Sequence, residues 1–153
     1  MNIFFPISIN ITNKQILIIG GGSVAFNKAV TLSYFTNRIS VIATNFCPKF
    51  KLLTTIELKK KMYDSDDLKG VFMVYICTCD KMLNLTIKTE CNNRNILVNI
   101  CDSPKSCNFI SPAVYKNNNI TIAVSSNAQN VKKSIDIRNQ IKKLVERNQL
   151  IIK

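Results

Sequence analysis

Apolar and polar positions divide most of this chain into alternating short runs and spaced stripes. Gln15 to Ile19 (QILII) is an almost wholly apolar run ending on three glycines, Gly20 to Gly22. A run of that length bounded by glycine reads as a strand buried on both faces. From Val24 to Thr36 the apolar residues Val24, Ala25, Ala29, Leu32 and Phe35 recur at helical spacing, which predicts an amphipathic helix. Arg38 to Ala43 (RISVIA) reads as the next strand and completes a strand, glycine turn, helix, strand unit.

The alternation continues. Ile56 to Lys60 is a weaker strand, and Asp64 to Lys69 reads as a short helix with Asp64 as N-cap and acids in its first turn. Val71 to Thr78 (VFMVYICT) is a second fully buried strand. Asp80 then caps a helix reaching Asn92, with Leu83, Ile87 and Cys91 on one face, and Ile96 to Ile100 is a further strand. Beyond Cys101 a Pro, Ser and Asn-rich segment (DSPKSCNFISP) reads as a long loop. Ile120 to Val124 predicts another strand, and a last helix from about Val131 to Arg147 carries Ile137, Ile141, Leu144 and Val145 along one stripe. Strands alternating with helices imply an α/β fold. The expectation is a Rossmann-type parallel sheet with helices on both faces in residues 1–112, then a small strand and helix unit in residues 113–153.

Composition narrows the choices. With 153 residues, 46 % hydrophobic and 20 % charged, the chain suits one domain with a proper core and excludes a disordered protein. No apolar run approaches the roughly 18 to 20 residues of a membrane span. Met1 to Asn10 lacks the basic start and cleavage site of a secretory signal, so a cytoplasmic protein is expected. The six cysteines (Cys47, Cys77, Cys79, Cys91, Cys101, Cys107) are expected to be reduced and mostly buried, and their spacing is unlike a zinc knuckle, so no metal site is expected. The absence of His excludes His triads, His metal ligands and imidazole switches. Acid–base chemistry must come from Asp, Glu, Lys, Tyr or Cys.

Against 9 acidic residues stand 21 basic ones, a formal charge of +12. Such a charge suits nucleic acid, an anionic membrane surface or a polyanionic small substrate. There is no Trp, and the aromatics are not interleaved with Lys and Arg as on a base-stacking platform. The seven basic residues from Lys132 to Lys153 are equally a solvated helix face, so charge alone does not choose.

Chemistry concentrates at two places. Three of the four glycines are consecutive, and Gly20-Gly21-Gly22-Ser23-Val24-Ala25 fits G-x-G-x-x-A between a strand and a helix. In that motif the first glycine makes a tight turn, the second lets the backbone approach a pyrophosphate at the positive helix end, and the last small residue lets helix and strand pack closely. The plain alternative is a structural glycine turn. The carboxylate that normally holds the ribose about 20 residues on is missing, since the first acidic residue is Glu57; Thr44 and Asn45 offer neutral hydrogen bonds there, leaving NAD and NADP open. The second place is Asp102, placed at the carboxyl end of the strand Ile96 to Ile100. A partly desolvated carboxylate at that edge is a natural proton acceptor, and an Asx-turn or cap is its structural alternative.

Together these motifs resemble the precorrin-2 dehydrogenase / sirohydrochlorin ferrochelatase family, the N-terminal module of siroheme synthase. The resemblance runs through Pro6-Ile7, ILIIGGGSVAFNKA, Asp66-Leu68 before VFMVYICTCD, and Asn84. It continues through Leu97-Val98-Asn99-Ile100-Cys101-Asp102-Ser103-Pro104, Phe109-Ile110-Ser111-Pro112 and Thr121 to Ser126. It implies NAD-dependent oxidation of precorrin-2 to sirohydrochlorin, a tetrapyrrole polycarboxylate, with iron insertion as a further activity of some members. On this resemblance Asp102 handles the proton. Gly20, Gly22, Ser23 and Val24 hold the pyrophosphate, Thr44 and Asn45 the adenosine ribose side, and Thr78 also faces the cofactor. Asn99 and Ser126 belong to the tetrapyrrole pocket, and the C-terminal unit makes a homodimer. The basic charge then steers a polycarboxylate substrate, with neither nucleic acid nor membrane as partner. The alternative is a non-catalytic dinucleotide-sensing module whose basic last helix binds nucleic acid. Two departures from the family bear on these expectations. Its common helical continuation is not present before Lys153, which bears on substrate enclosure, and Asn127-Ala128-Gln129-Asn130 replaces the usual glycine-rich stretch, so a differently shaped loop is expected.

Overall fold

The computed structural model of the protein describes residues 2–151. Its larger compact unit is Pro6–Phe109. It contains β1 (Gln15–Ile19), α1 (Ser23–Ser33), β2 (Ile39–Ala43), β3 (Glu57–Lys60), β4 (Val71–Ile76), α2 (Lys81–Asn93) and β5 (Leu97–Ile100). All five strands are parallel, in the order β3-β2-β1-β4-β5. The chain steps outward from β1 through β2 to β3, then returns to the other side of β1 for β4 and β5. The reversal between β1 and β4 is a topological switch point, where open α/β sheets bind ligands at the strands' carboxyl ends.

The apolar runs become central strands because their alternating side chains feed two cores at once. Ile16 and Ile18 of β1 join Ala25, Ala29, Val41, Phe50 and Tyr75 on the α1 side. Leu17 and Ile19 join Val74, Ile76, Ile87, Cys91, Val98 and Ile100 on the α2 side. The buried residues of α1 are only Ala25 and Ala29, and small side chains there bring the helix close to the sheet. By contrast β3, Glu-Leu-Lys-Lys, is largely exposed and charged, as suits an edge strand.

Element ends depart from the periodicity where side chains or turns intervene. Helix α1 stops at Ser33, short of Thr36, because Phe35 and Thr36 N–H groups both turn back to the Leu32 carbonyl. Strand β4 ends at Ile76, short of Thr78. Asp64 caps as expected, with the reciprocal Asp67 contact of a capping box, but the turn it starts, Ser65–Leu68, is a 3-10 helix. Asp80 caps α2, its Oδ1 accepting from Leu83 N–H at 3.0 Å.

The smaller compact unit comprises Ile110 onward together with the N-terminal residues up to Phe5. Here β6 (Ala113–Asn117) and β7 (Ile120–Val124) form an antiparallel hairpin, turning at Asn118 with φ +50°, and α3 (Val131–Glu146) follows. The hairpin partner β6 was not expected from the apolar pattern. Ala-Val-Tyr-Lys-Asn directly follows the Pro-rich loop and is only half-buried, so no apolar run announces it. Arg138 Nη1 donates to the Val114 carbonyl at 2.7 Å and ties α3 to β6. The substituted loop takes a left-handed shape, with φ +55° at Asn127 and +62° at Ala128. Asn127 then clamps the N-terminal segment: its Oδ1 accepts from Phe4 N–H at 2.8 Å, and its Nδ2 donates to the Asn2 carbonyl at 3.0 Å.

All six cysteines are free thiols. The expectation that most are buried is corrected: only Cys91 is, while Cys79 is exposed and the other four are half-buried. The physical reason is that β4 and β5 stop one residue before Cys77 and Cys101, which places those thiols on the sheet's edge. Among the described residues no helix is long and apolar enough to cross a membrane.

Candidate functional site

The three glycines lie where β1 leaves the sheet, and each has a different environment. Gly20 has φ +125°, and a Cβ there would stand 2.5 Å from the Cys77 carbonyl oxygen of the neighbouring strand end. Gly21 is the tightest position. A Cβ on it would run into the Asn45 carbonyl oxygen and lie 2.9 Å from Ala43 Cβ. Cys47 N–H donates to the Gly21 carbonyl at 2.8 Å, so the loop after β2 is held directly against the turn. That loop is anchored in turn by Phe50, 2 % exposed, whose ring packs edge-on against Phe26 of α1 and Phe46. The middle glycine had counted only as a free position of the motif; its need for close backbone approach emerges only when β2 is placed beside it.

Gly22 differs. It is the N-cap of α1 in an extended conformation, makes no side-chain capping bond, and nothing lies within 4 Å of where its Cβ would be. Phe26 N–H donates back to the Gly22 carbonyl, which leaves the N–H groups of Ser23, Val24 and Ala25 at the open end of the helix. Uncapped N–H groups with open space in front form an anion-binding end, and no acidic residue in the first turn opposes it. The residues present therefore fit a dinucleotide pyrophosphate. Ala25, fully buried, supplies the close helix to strand contact.

The carboxyl edge extends across the sheet by one residue per strand. Gly20 N–H donates to Ile42 O at 2.8 Å, Cys77 N–H to Ile19 O at 2.7 Å, and Cys101 N–H to Ile76 O at 2.9 Å. Gly20, Cys77 and Cys101 thus stand in a row, with Asp102 next in the chain. Thr44 and Asn45 are exposed just beyond β2. The Thr78 hydroxyl donates to Asn84 Oδ1 at 2.5 Å, and Asn84 Nδ2 returns a bond to the Thr78 carbonyl at 3.1 Å. Asn84 is buried in α2, so this pair pins the β4 exit to the helix and ends the strand early.

Asp102 lies at the expected edge, but the expected partial desolvation is corrected: its carboxylate is exposed. The loop carrying it folds back along β5. Val98 N–H donates to Asn108 Oδ1 and Asn108 N–H to Val98 O, both at 3.0 Å, while Ile100 N–H donates to Cys107 Sγ at 3.0 Å. These contacts cover the outer edge of β5 and hold the 102–109 loop in place. Asn99 belongs to the same bracing: it is 5 % exposed, and its Nδ2 donates to the Phe109 carbonyl at 2.9 Å. Lys28 of α1 adds positive charge, its Nζ lying 5.6 Å from the Tyr75 ring centroid. Nothing in the spacing of apolar residues singled out Lys28, Asn108 or Cys107. Ser126 lies in the smaller unit, where its Oγ accepts from Asn130 N–H at 2.9 Å just before α3.

Comparison with known proteins agrees with this geometry. A family model described as "Putative NAD(P)-binding" matches residues 7–113. The siroheme synthase of Buchnera aphidicola subsp. Acyrthosiphon pisum is 36 % identical over 126 residues, covering 80 % of this chain and 27 % of that protein. The siroheme synthase of Psychrobacter sp. is 36 % identical over 128 residues, covering 82 % of this chain and 26 % of its own length. The chain thus spans about a quarter of the curated relatives it matches. A solved precorrin-2 dehydrogenase, SirC, superposes with a TM-score of 0.80 at 20 % identity, over 92 % of this chain and 70 % of that one, which establishes a shared fold. The chain belongs to the NAD(P)-binding family that this model describes, and siroheme synthases are its relatives in sequence.

Proposed function

We propose that the protein is an NAD-dependent precorrin-2 dehydrogenase, oxidising precorrin-2 to sirohydrochlorin for siroheme synthesis. The observation that carries this reading is a shared edge: an uncapped glycine turn beside the β1/β4 switch point, and a carboxylate just past β5 on the same side of the sheet. The names of the sequence relatives point to siroheme synthesis.

The bound NAD supplies a hydride acceptor. Gly20 and Gly21 let the backbone turn without side chains in the way. The N–H groups of Ser23 and Val24 hold the phosphates across the space in front of Gly22. Thr44 and Asn45 serve the adenosine ribose through neutral hydrogen bonds. Thr78 acts on the cofactor through its backbone, since its hydroxyl is engaged with Asn84. Asp102 accepts the proton that leaves the substrate. Its exposure means that the macrocycle itself must exclude water from the carboxylate. Asn99 belongs to the tetrapyrrole pocket and positions the Asp102 loop through Phe109. The net charge of +12 attracts a polycarboxylate.

Residues 1–112 serve as the dinucleotide module and 113–153 as the dimerisation and substrate segment, with Ser126 in the latter. A homodimer through α3 is consistent with Ile135, Ile137 and Leu144 being more than a third exposed. The protein acts in the cytoplasm. The test is anaerobic incubation with precorrin-2 and either NAD or NADP, following the tetrapyrrole spectrum and NAD(P)H absorbance. Turnover with NAD supports the reading. No oxidation with either cofactor, combined with salt-dependent DNA binding, overturns it in favour of a nucleic-acid module.

A further inference from the structure

The row of residues at the carboxyl edge contains two thiols that the proposed dehydrogenation does not use. Ile76 and Ile100 are register partners in β4 and β5, so Cys77 and Cys101, one residue further on, face each other across the strand ends. Their sulfurs are 2.7 Å apart, with no room for an intervening atom. Neighbouring strands run about 4.8 Å apart, inside the roughly 4.4 to 6.8 Å Cα separation that a disulfide spans. Closing the bond therefore needs no backbone rearrangement. Both residues are half-buried at an edge rather than sealed in the core, unlike Cys91. Cys107 is held apart by its bonds with Ile100 N–H and the Ser103 carbonyl.

We propose that Cys77 and Cys101 are a reversible disulfide site, oxidised by low-molecular-weight disulfides and reduced by thiols. This goes beyond the dehydrogenase reading and does not depend on it. The two sulfurs are unequal. The hydrogen bond they share, with Lys28 nearby, holds the Cys101 thiol below its ordinary value, while the same bond and burial push Cys77 up. Asp102 opposes ionisation of both. Cys101 is accordingly the attacking sulfur. Its thiolate displaces one RS− from a disulfide RSSR, giving a mixed disulfide. Cys77 then loses its proton and displaces the second RS− from Cys101, forming the intramolecular bond. Two electrons pass from the protein sulfurs to RSSR, and two RSH are released once protonated. The bond staples the ends of β4 and β5 between the Gly20 contact of Cys77 and the Asp102 loop.

The test uses the full folded chain incubated with oxidised glutathione, alkylated, digested and mapped by mass spectrometry. The expected result is a protein about 2 Da lighter before alkylation, a peptide linking Cys77 to Cys101, and four thiols still open to alkylation under denaturing conditions, with dithiothreitol restoring all six. Cys77→Ser is expected to stop at a glutathione adduct on Cys101. Alkylation of both Cys77 and Cys101 after oxidation, persistent unresolved adducts in the wild-type protein, or linkage through other cysteines overturns the proposal. The wild-type map decides even if the variant fails to fold.

Discussion

Replacing each glycine of the turn by alanine separates architecture from binding. At Gly20 the new side chain must be held at φ +125°, a region L-residues rarely enter, and its Cβ meets the Cys77 carbonyl at 2.5 Å. That carbonyl belongs to a residue fixed by its own N–H bond to Ile19, so it cannot retreat without breaking the β1 to β4 ladder. Backbone strain of about 1–3 kcal/mol and overpacking of a similar size give a loss of about 2–6 kcal/mol. Against a total stability of about 5–15 kcal/mol, that is a large fraction. At Gly22 the terms oppose each other. Alanine is a poorer N-cap than glycine but restricts the unfolded chain, each by about 0.5–1 kcal/mol, and the Cβ enters open space. Urea unfolding should place Gly20→Ala about 1 M or more below wild type, given slopes of about 1–3 kcal/mol per molar, with Gly22→Ala nearly unmoved. Calorimetric titration with NAD should show the converse for Gly22→Ala: normal folding with affinity reduced about tenfold or more, about 1.4 kcal/mol. Equal midpoints for Gly20→Ala and wild type would refute the steric account, and normal NAD affinity in Gly22→Ala would refute the phosphate placement.

Three further outcomes are expected. Asp102→Asn should lower kcat by about 10²- to 10⁴-fold in anaerobic steady-state assays with NAD affinity unchanged, and retained turnover would remove Asp102 from the chemistry. Asn84→Ala should destabilise the protein by about 1–3 kcal/mol in urea titrations, because the Thr78 hydroxyl and carbonyl lose their buried partner; a wild-type midpoint would show that water replaces the amide freely. In alkali, burial holds the Cys91 thiol up at about 11 against an ordinary 9.0. The folded state therefore keeps a proton that the unfolded chain has released, and stability falls as pH rises from 9 toward 11, by up to about 1.4 kcal/mol per pH unit. Cys91→Ala should flatten that slope relative to wild type, leaving a residual one from Tyr63 and Cys77, which are also held protonated. Identical slopes in the two proteins would mean that Cys91 is not protected from solvent.

The strands and helices of the larger unit were legible because two short-range signals agree along its length. Apolar runs of strand length mark chain buried on both faces, and residues such as Asp64 and Asp80 supply caps whose partners are two or three positions away. The glycine motif was legible for the same reason, since turn, helix end and small packing residue are neighbours in sequence. Long-range pairing was not. Gly21 is indispensable only because the Asn45 carbonyl lies against it, and strand β6 exists because β7 pairs with it rather than through any apolar run of its own. Asp102 could be placed on the correct edge from the sequence, yet its exposure depends on how Asn99, Cys107 and Asn108 fold the loop back on β5. The sequence by itself thus determined the α/β alternation and where a dinucleotide turn must fall, because those depend on local spacing. Only the tertiary structure decided that Cys77 faces Cys101, that Thr78 is tied to Asn84 and that Lys28 overlooks Tyr75, because strand register joins residues far apart in the chain and carries no mark in either segment alone.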